Sequence, residues 1–310
     1  MYPSRRFRPQ KNYKRILFFT ITLCLFLLLP AIASGGKASK PVLLELHNKV
    51  SERLNFVIDI EEDVPQDIRD MLVSQTTDKS SPAKTGKLDL SGDQPTVLIY
   101  HTHATEAYTP TDQYSYVSTS EWRTDNATRS IIAVGEELAR ILRDDYGISV
   151  IHDTTDYEPP KLSTAYERSE TGMLYYREQY PSIQLFIDIH RDAYETESGT
   201  SDYVLIDGVR TARMMFVVGT GENYDDKPNF DATFSLAEDL SNRLSAIDER
   251  LVRSIRVKTG RYNQHISDGC VLVEVGHNRN TLEEALNAVR LLAQVIAESA
   301  NVPRTVSFIP

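Results

Sequence analysis

Cysteine is nearly absent from this chain: Cys24 and Cys270 are the only two in 310 residues. Cys24 falls in a long apolar run, which leaves Cys270 alone in the remainder, so no intramolecular disulfide can brace that part. The same scarcity excludes a cysteine-rich zinc framework, and any metal has to be held by histidine and carboxylate. Positive charge is also in deficit. The 34 basic residues face 44 acidic ones, for a net charge of −10. No basic stripe stands outside the N-terminus, which argues against a nucleic-acid footprint. An acidic surface gives no long-range attraction for an anionic polymer, so an anionic substrate would need local contacts. There is no G-x-S-x-G elbow, no P-loop and no G-x-G-x-x-G after a strand. Cys270 precedes an apolar run with no base indicated beside it, which leaves a nucleophilic role unsupported. No internal repeat is visible.

What is present begins with a topological signal. Arg5, Arg6, Arg8, Lys11, Lys14 and Arg15 precede ILFFTITLCLFLLLPAIA, residues 16–33, which contains no charge. Such a run just spans a bilayer, and its basic flank would stay in the cytoplasm. Ala31-Ile32-Ala33 also has the form of a signal-peptide cleavage site. Either reading exports the rest of the chain. Residues 1–15 are therefore expected to be a cytoplasmic basic tail and 16–33 a transmembrane anchor or signal. Residues 34–94 read as a stalk: one short helical patch (PVLLELHNKVSERL), then the linker-like DKSSPAKTGKLDLSGDQP.

After Pro95 the texture changes. TVLIY is a β-branched apolar run expected to be a buried strand. A tyrosine-containing loop follows (Tyr108, Tyr114, Tyr116) and ends near RTDNATR, where Asp125 or Asn126 is a candidate helix cap. Ile131, Val134, Leu138 and Ile141 fall on one face of a helix that stops at Gly147. ISVIH, QLFIDIH, YVLIDG, RMMFVVG and VLVEV read as further strands. Helices are expected around Leu236–Ile247 and after Thr281-x-x-Glu284, a capping box. Strands alternating with helices predict one α/β domain over 95–302, with a mostly parallel or mixed sheet and helices on both faces.

The chemistry-bearing residues stand at strand ends. In LIYHTHATEAY, His101 and His103 follow the first strand, and extended geometry would direct both to one face. Glu106 lies three residues beyond His103, close enough to be a neighbouring ligand if the chain turns. His190 ends QLFIDIH, followed by Arg191 and Asp192 as a substrate clamp or a supporting carboxylate. Glu274 interrupts VLVEV, where a buried carboxylate is costly without a purpose, and its position suits a general base. Two histidines and a carboxylate, with a position left for water, is a known catalytic zinc set. Each motif alone has a plainer reading: hydrogen-bonded histidines, or a glutamate paired with an arginine. Their joint occurrence at strand exits of one domain favours the metal site. His47, His152, His265 and His277 have weaker claims.

These motifs, LIYHTHATEAY, FIDIHRDA and RYNQHISDG with VLVEVGHNRNTLEEA, resemble in their order the stage II sporulation protein P family of endospore-forming bacteria over residues 95–300. The resemblance implies a zinc-dependent N-acetylmuramoyl-L-alanine amidase with an α/β fold, held by one N-terminal membrane segment with its catalytic domain outside the cytoplasm. It implies septal peptidoglycan removal during engulfment, alongside stage II sporulation proteins D and M. By resemblance His103, Glu106 and His190 are zinc ligands and Glu274 is the catalytic carboxylate; Arg191, following His190, is expected to help stabilise the oxyanion. His101 is ligand, supporting residue or substrate contact, with Asp192 in a similar supporting place. The alternatives are a zinc endopeptidase cutting stem-peptide cross-links and a non-catalytic, membrane-tethered wall-binding scaffold.

Overall fold

The computed structural model describes residues 58–61, 63–77, 88–193 and 202–305. The expected basic tail and the apolar segment at 16–33 lie outside the described residues. Among the described residues no helix is long and apolar enough to cross a membrane.

In chain order the strands are β1 (Ile58–Ile60), β2 (Val97–Tyr100), β3 (Val150–His152), β4 (Leu185–Asp192), β5 (Tyr203–Ile206), β6 (Val209–Ala212), β7 (Met214–Gly219), β8 (Ile255–Lys258) and β9 (Cys270–His277). The helices are α1 (Gln66–Thr77), α2 (Ile131–Tyr146), α3 (Ala165–Gln179), α4 (Phe230–Ile247) and α5 (Leu282–Ser299). Seven strands form one sheet in the order β1-β8-β7-β9-β4-β2-β3. Every pairing is parallel except β7 with β9, so the expected mostly parallel sheet is mixed at that junction. Such a sheet needs cover on both faces. Alternate residues Val97, Ile99, Leu185, Ile187, Ile189, Val271 and Val273 pack with apolar residues of α2, α4 and α5. Leu98, Tyr100, Phe186 and Cys270 face the other way, against Met173 of α3.

Local chemistry ends the helices. The cap of α2 is Ser130, whose hydroxyl accepts from the Ile132 N–H at 3.3 Å. Asp125 and Asn126 do not cap it, because Asn126 instead closes a turn onto Thr128. Gly147 ends the helix at φ 67°, a left-handed position. The capping box of Thr281 and Glu284 forms in both directions.

Three elements differ from expectation. The described part of the supposed stalk joins the domain: β1 extends the sheet edge beside β8, and Val64, Leu72 and Leu90 enter its core. YVLIDG forms the expected strand, but in a separate antiparallel hairpin, β5–β6, rather than in the main sheet. Asp207 and Gly208 turn it with φ 50° and 80°, the pair of positive angles a two-residue hairpin turn requires. Third, α3 was not legible. Its buried residues are only Ala165, Ser169 and Met173, a thin strip of mostly small side chains on an otherwise charged helix.

Candidate active site

The parallel strands β2, β4 and β9 are neighbours, and their carboxyl ends place the candidate residues together, as expected for an α/β sheet. His190 of β4 and Glu274 of β9 are paired in register, so both side chains project from the same face, the one covered by α3. The chain leaving β2 turns sharply, with a backbone bond from Glu106 N–H to His103 carbonyl at 3.4 Å. That turn brings the His103 ring to 5.4 Å from the His190 ring and Glu106 Oε2 to 3.7 Å from His190 Nδ1.

His190 is held on both edges by carboxylates. Its Nε2 lies 3.0 Å from Asp188 Oδ2, two residues back on the same strand face. Asp188 is 1% exposed and is fixed by the Thr102 N–H at 2.9 Å and the Thr102 hydroxyl at 2.7 Å. Burial disfavours a charged His190, yet Asp188 and then Glu106 hold its imidazolium well above the usual histidine range. Burial likewise works against an ionised Glu106, but His190, Arg191 and His103 bring its carboxyl down to about 2. Glu274 shifts the other way. Burial raises it to about 8, opposed by His190 and reinforced by Glu106 and Asp192.

Three polar atoms here are buried without a well-aligned hydrogen bond: His103 Nδ1 and His190 Nε2, which face the carboxylates of Glu158 at 3.5 Å and Asp188 at 3.0 Å, and Glu274 Oε2. Unsatisfied buried groups are costly and concentrate where a ligand or reactant is to be met. Two imidazoles and a carboxylate fit zinc in kind. Among the described residues no three His, Cys, Asp or Glu side chains converge on one coordination point; His190 instead bridges Asp188 and Glu106 as a cation.

The model of the stage II sporulation protein P family matches residues 32–297 of this chain. The chain belongs to the stage II sporulation protein P family. It is 28% identical over 238 residues to stage II sporulation protein P of Bacillus subtilis, covering 72% of this chain and 56% of that protein. It therefore spans little more than half the length of that relative. Solved structures similar to it include the catalytic domain of the N-acetylmuramoyl-L-alanine amidase CwlV from Bacillus (Paenibacillus) polymyxa, at TM-score 0.40 and 15% identity, covering 67% of this chain and 99% of that one. An N-acetylmuramoyl-L-alanine amidase of Nostoc punctiforme follows at 0.38 and 16%, covering 68% and 97%. One from Clostridium difficile stands at 0.39 and 15%, covering 68% and 96%.

Not every expected residue of this family member takes its expected place. His101 and His103 do not share a face, because the chain leaves the strand after Tyr100. His101 is buried on the α2 side, its Nδ1 3.2 Å from the Ile189 carbonyl and its Nε2 2.9 Å from His152 Nε2. It supports β4 rather than meeting the site. Arg191 is no oxyanion clamp: its guanidinium donates to the carbonyls of Ala107 and Trp122, each at 2.9 Å, and so pins the loop. Its backbone N–H serves the site by donating to Glu106 Oε2 at 3.1 Å. Asp192 does not support His190 either. It pairs with Arg253 at 2.7 Å, and Asp188 does the supporting.

Beside Asp188, three further residues take part that the sequence reading did not single out: Glu158, Arg123 and Tyr166. Glu158, in the loop before α3, accepts from Arg123 and Thr105 and comes to 3.5 Å from His103 Nδ1. Arg123 also approaches Glu106 Oε1 at 3.7 Å, so one guanidinium orders two carboxylates. Tyr166 of α3 lies parallel to the His190 ring, 6.4 Å between centroids, and edge-on to His103 at 5.8 Å. Asp188 had a readable signal, since strand alternation places it on the face of His190. Glu158 and Tyr166 had none, being more than fifty residues from His103 in sequence.

Proposed function

We propose that this chain is a peptidoglycan hydrolase that cleaves the amide between N-acetylmuramic acid and L-alanine. The observation that carries the reading is Glu274: a half-buried residue whose Oε2 is buried and unpartnered, in register with His190 beside His103 and Glu106. A pKa near 8 lets a carboxyl exchange a proton close to neutrality, as a general acid–base needs.

Zinc would be held by His103, Glu106 and His190, and when bound it supplies Lewis acidity at the scissile carbonyl and a more acidic water. The protein's own groups do the rest. Asp188 fixes the His190 ring by its Nε2 edge, which leaves Nδ1 directed toward Glu106. Glu158 and Arg123 orient His103 and Glu106. Glu274 takes a proton from the attacking water and returns it to the departing amine. Tyr166 walls the site and limits water around the two imidazoles.

Family membership supports a setting in spore formation, with septal wall removal during engulfment as the task. Stage II sporulation proteins D and M are the partners expected from it. The charge-free run at 16–33 behind its basic flank supports a single membrane anchor, with the hydrolase domain outside the cytoplasm.

Purified peptidoglycan incubated with the full chain, with zinc and again with a chelator, tests the reading. Chelator-sensitive appearance of new L-alanine amino groups is the expected result. New termini only at the peptide cross-links would replace the amidase by an endopeptidase, and zinc-loaded protein that cuts neither bond would overturn the hydrolase reading.

A further inference from the structure

The site's open side is a shallow, solvent-open cleft of roughly 570 Å³ lined by His103, Lys161, Leu162, Ser163 and Tyr166. That volume is within the range of small-ligand pockets. Two lining residues are unusual for this molecule. Leu162 is 47% exposed, one of few large apolar side chains so open to solvent. Lys161 is exposed too and stands in a strongly acidic chain. Three lysines occur among the described residues. Lys227 pairs with Glu222 at 3.1 Å and Lys258 with Glu61 at 2.9 Å; Lys161 makes no ion pair among the described residues. Glu158, three residues earlier on the same loop, is already engaged by Arg123 and Thr105.

The loop that presents Lys161 is fixed before any ligand arrives. Arg168 of α3 donates to the carbonyls of Tyr157 at 2.6 Å, Glu158 at 2.8 Å and Lys161 at 2.8 Å, and to the Thr164 hydroxyl at 2.8 Å. One guanidinium thus ties 157–164 to the helix that also carries Tyr166. The backbone that carries the Lys161 side chain is already ordered, which lowers the ordering cost of a contact made there.

We propose that Lys161 is a specificity-determining residue whose ammonium recognises a free carboxylate of an anionic peptide lying in the cleft, next to the amide cut at His103. Resting on the amidase reading, this assigns the cleft to the stem peptide and Leu162 to its apolar contact. The chemistry matches: the second residue of the stem is a D-isoglutamate with a free α-carboxylate, one residue from the bond cut. An acidic protein cannot attract that anion at long range, so a local cation must select it. A lysine held beside an ordered loop makes a charge-assisted hydrogen bond to such a group. A stem amidated at that carboxylate, D-isoglutamine, offers no anion.

The test compares two soluble N-acetylmuramoyl peptides, one with D-isoglutamate and one with D-isoglutamine, on the zinc-loaded full chain. The ratio of kcat/KM for acid over amide is read for wild type, Lys161→Gln, Lys161→Arg and Lys258→Gln. The wild type is expected to prefer the acid, and Lys161→Gln to reduce the ratio by about 10- to 100-fold, the effect of one hydrogen bond to a charged group. Lys161→Arg should restore most of the preference and Lys258→Gln should retain it. A simple folding defect would lower both rates and leave the ratio alone. An unchanged ratio in Lys161→Gln, or no acid preference in wild type, overturns the proposal. If wild type cuts neither peptide, the amidase reading fails by itself. Calorimetric binding of the two peptides then decides the role of Lys161, with equal affinities for acid and amide overturning it.

Discussion

His190 and Glu274 are direct neighbours on adjacent parallel strands, paired in register on the face covered by α3. A cation held by two carboxylates thus stands beside a carboxyl that burial pushes toward neutrality. That contrast between adjacent titratable groups is the usual mark of an assigned acid–base pair. Glu274→Gln removes the proton carrier and keeps the shape. Turnover on peptidoglycan should fall by about 10²- to 10⁴-fold while zinc content, measured by atomic absorption after dialysis, stays near that of wild type. A variant with near-normal rate would remove Glu274 from the mechanism.

Asp188 predicts a different phenotype. It touches no candidate substrate position, being buried behind His190 and bonded to Thr102. Asp188→Asn should weaken zinc binding about 10- to 100-fold, the typical effect of losing the carboxylate behind a ligating histidine. Competition against a fluorescent chelator measures it. Unchanged affinity would mean that the Nε2 edge of His190 needs no carboxylate.

Gly135 lies inside α2, where alanine would ordinarily be favoured by roughly 1 kcal/mol. Here a Cβ would come 2.5 Å from His101 Nε2 and 2.7 Å from His152 Nε2. Gly135→Ala should therefore destabilise the fold by about 1–3 kcal/mol, the scale of overpacking. Denaturant titration reads this directly, and a more stable variant would show that the two rings move aside freely.

His101 makes stability depend on pH. Burial, then His152, lowers it from 6.5 to about 3, so between those values the unfolded chain takes up a proton that the folded chain refuses. The contribution is complete above pH 6.5 and is lost as pH falls toward 3. At pH 5 this amounts to about 2 kcal/mol. Unfolding midpoints at pH 7.5 and 5.0 should differ more in wild type than in His101→Gln; identical differences would take His101 out of the acid response.

The tertiary structure confirms some local readings and reorganises others. The helix ending at Gly147, the capping box at Thr281 and the strands leading to His190 and Glu274 were legible, because each is set by a spacing or a cap a few residues long. The hairpin turned by Asp207 and Gly208, the strand at Ile58–Ile60 and helix α3 were not. Edge strands of three or four residues and a helix with a thin apolar strip carry too little periodicity to stand out.

By itself, the sequence determined which donors exist and at which strand ends they occur: His103, Glu106, His190 and Glu274, with almost no cysteine to compete. Only the tertiary structure decided which of the flanking residues serve them. His101 went to the opposite face, Arg191 to the loop carbonyls and Asp192 to Arg253, while Asp188, Glu158 and Tyr166 took the supporting places. The reason is physical. A ligand's identity is a property of its side chain, but its support comes from whichever strand or loop the sheet order sets beside it, and strand order joins residues far apart in the chain.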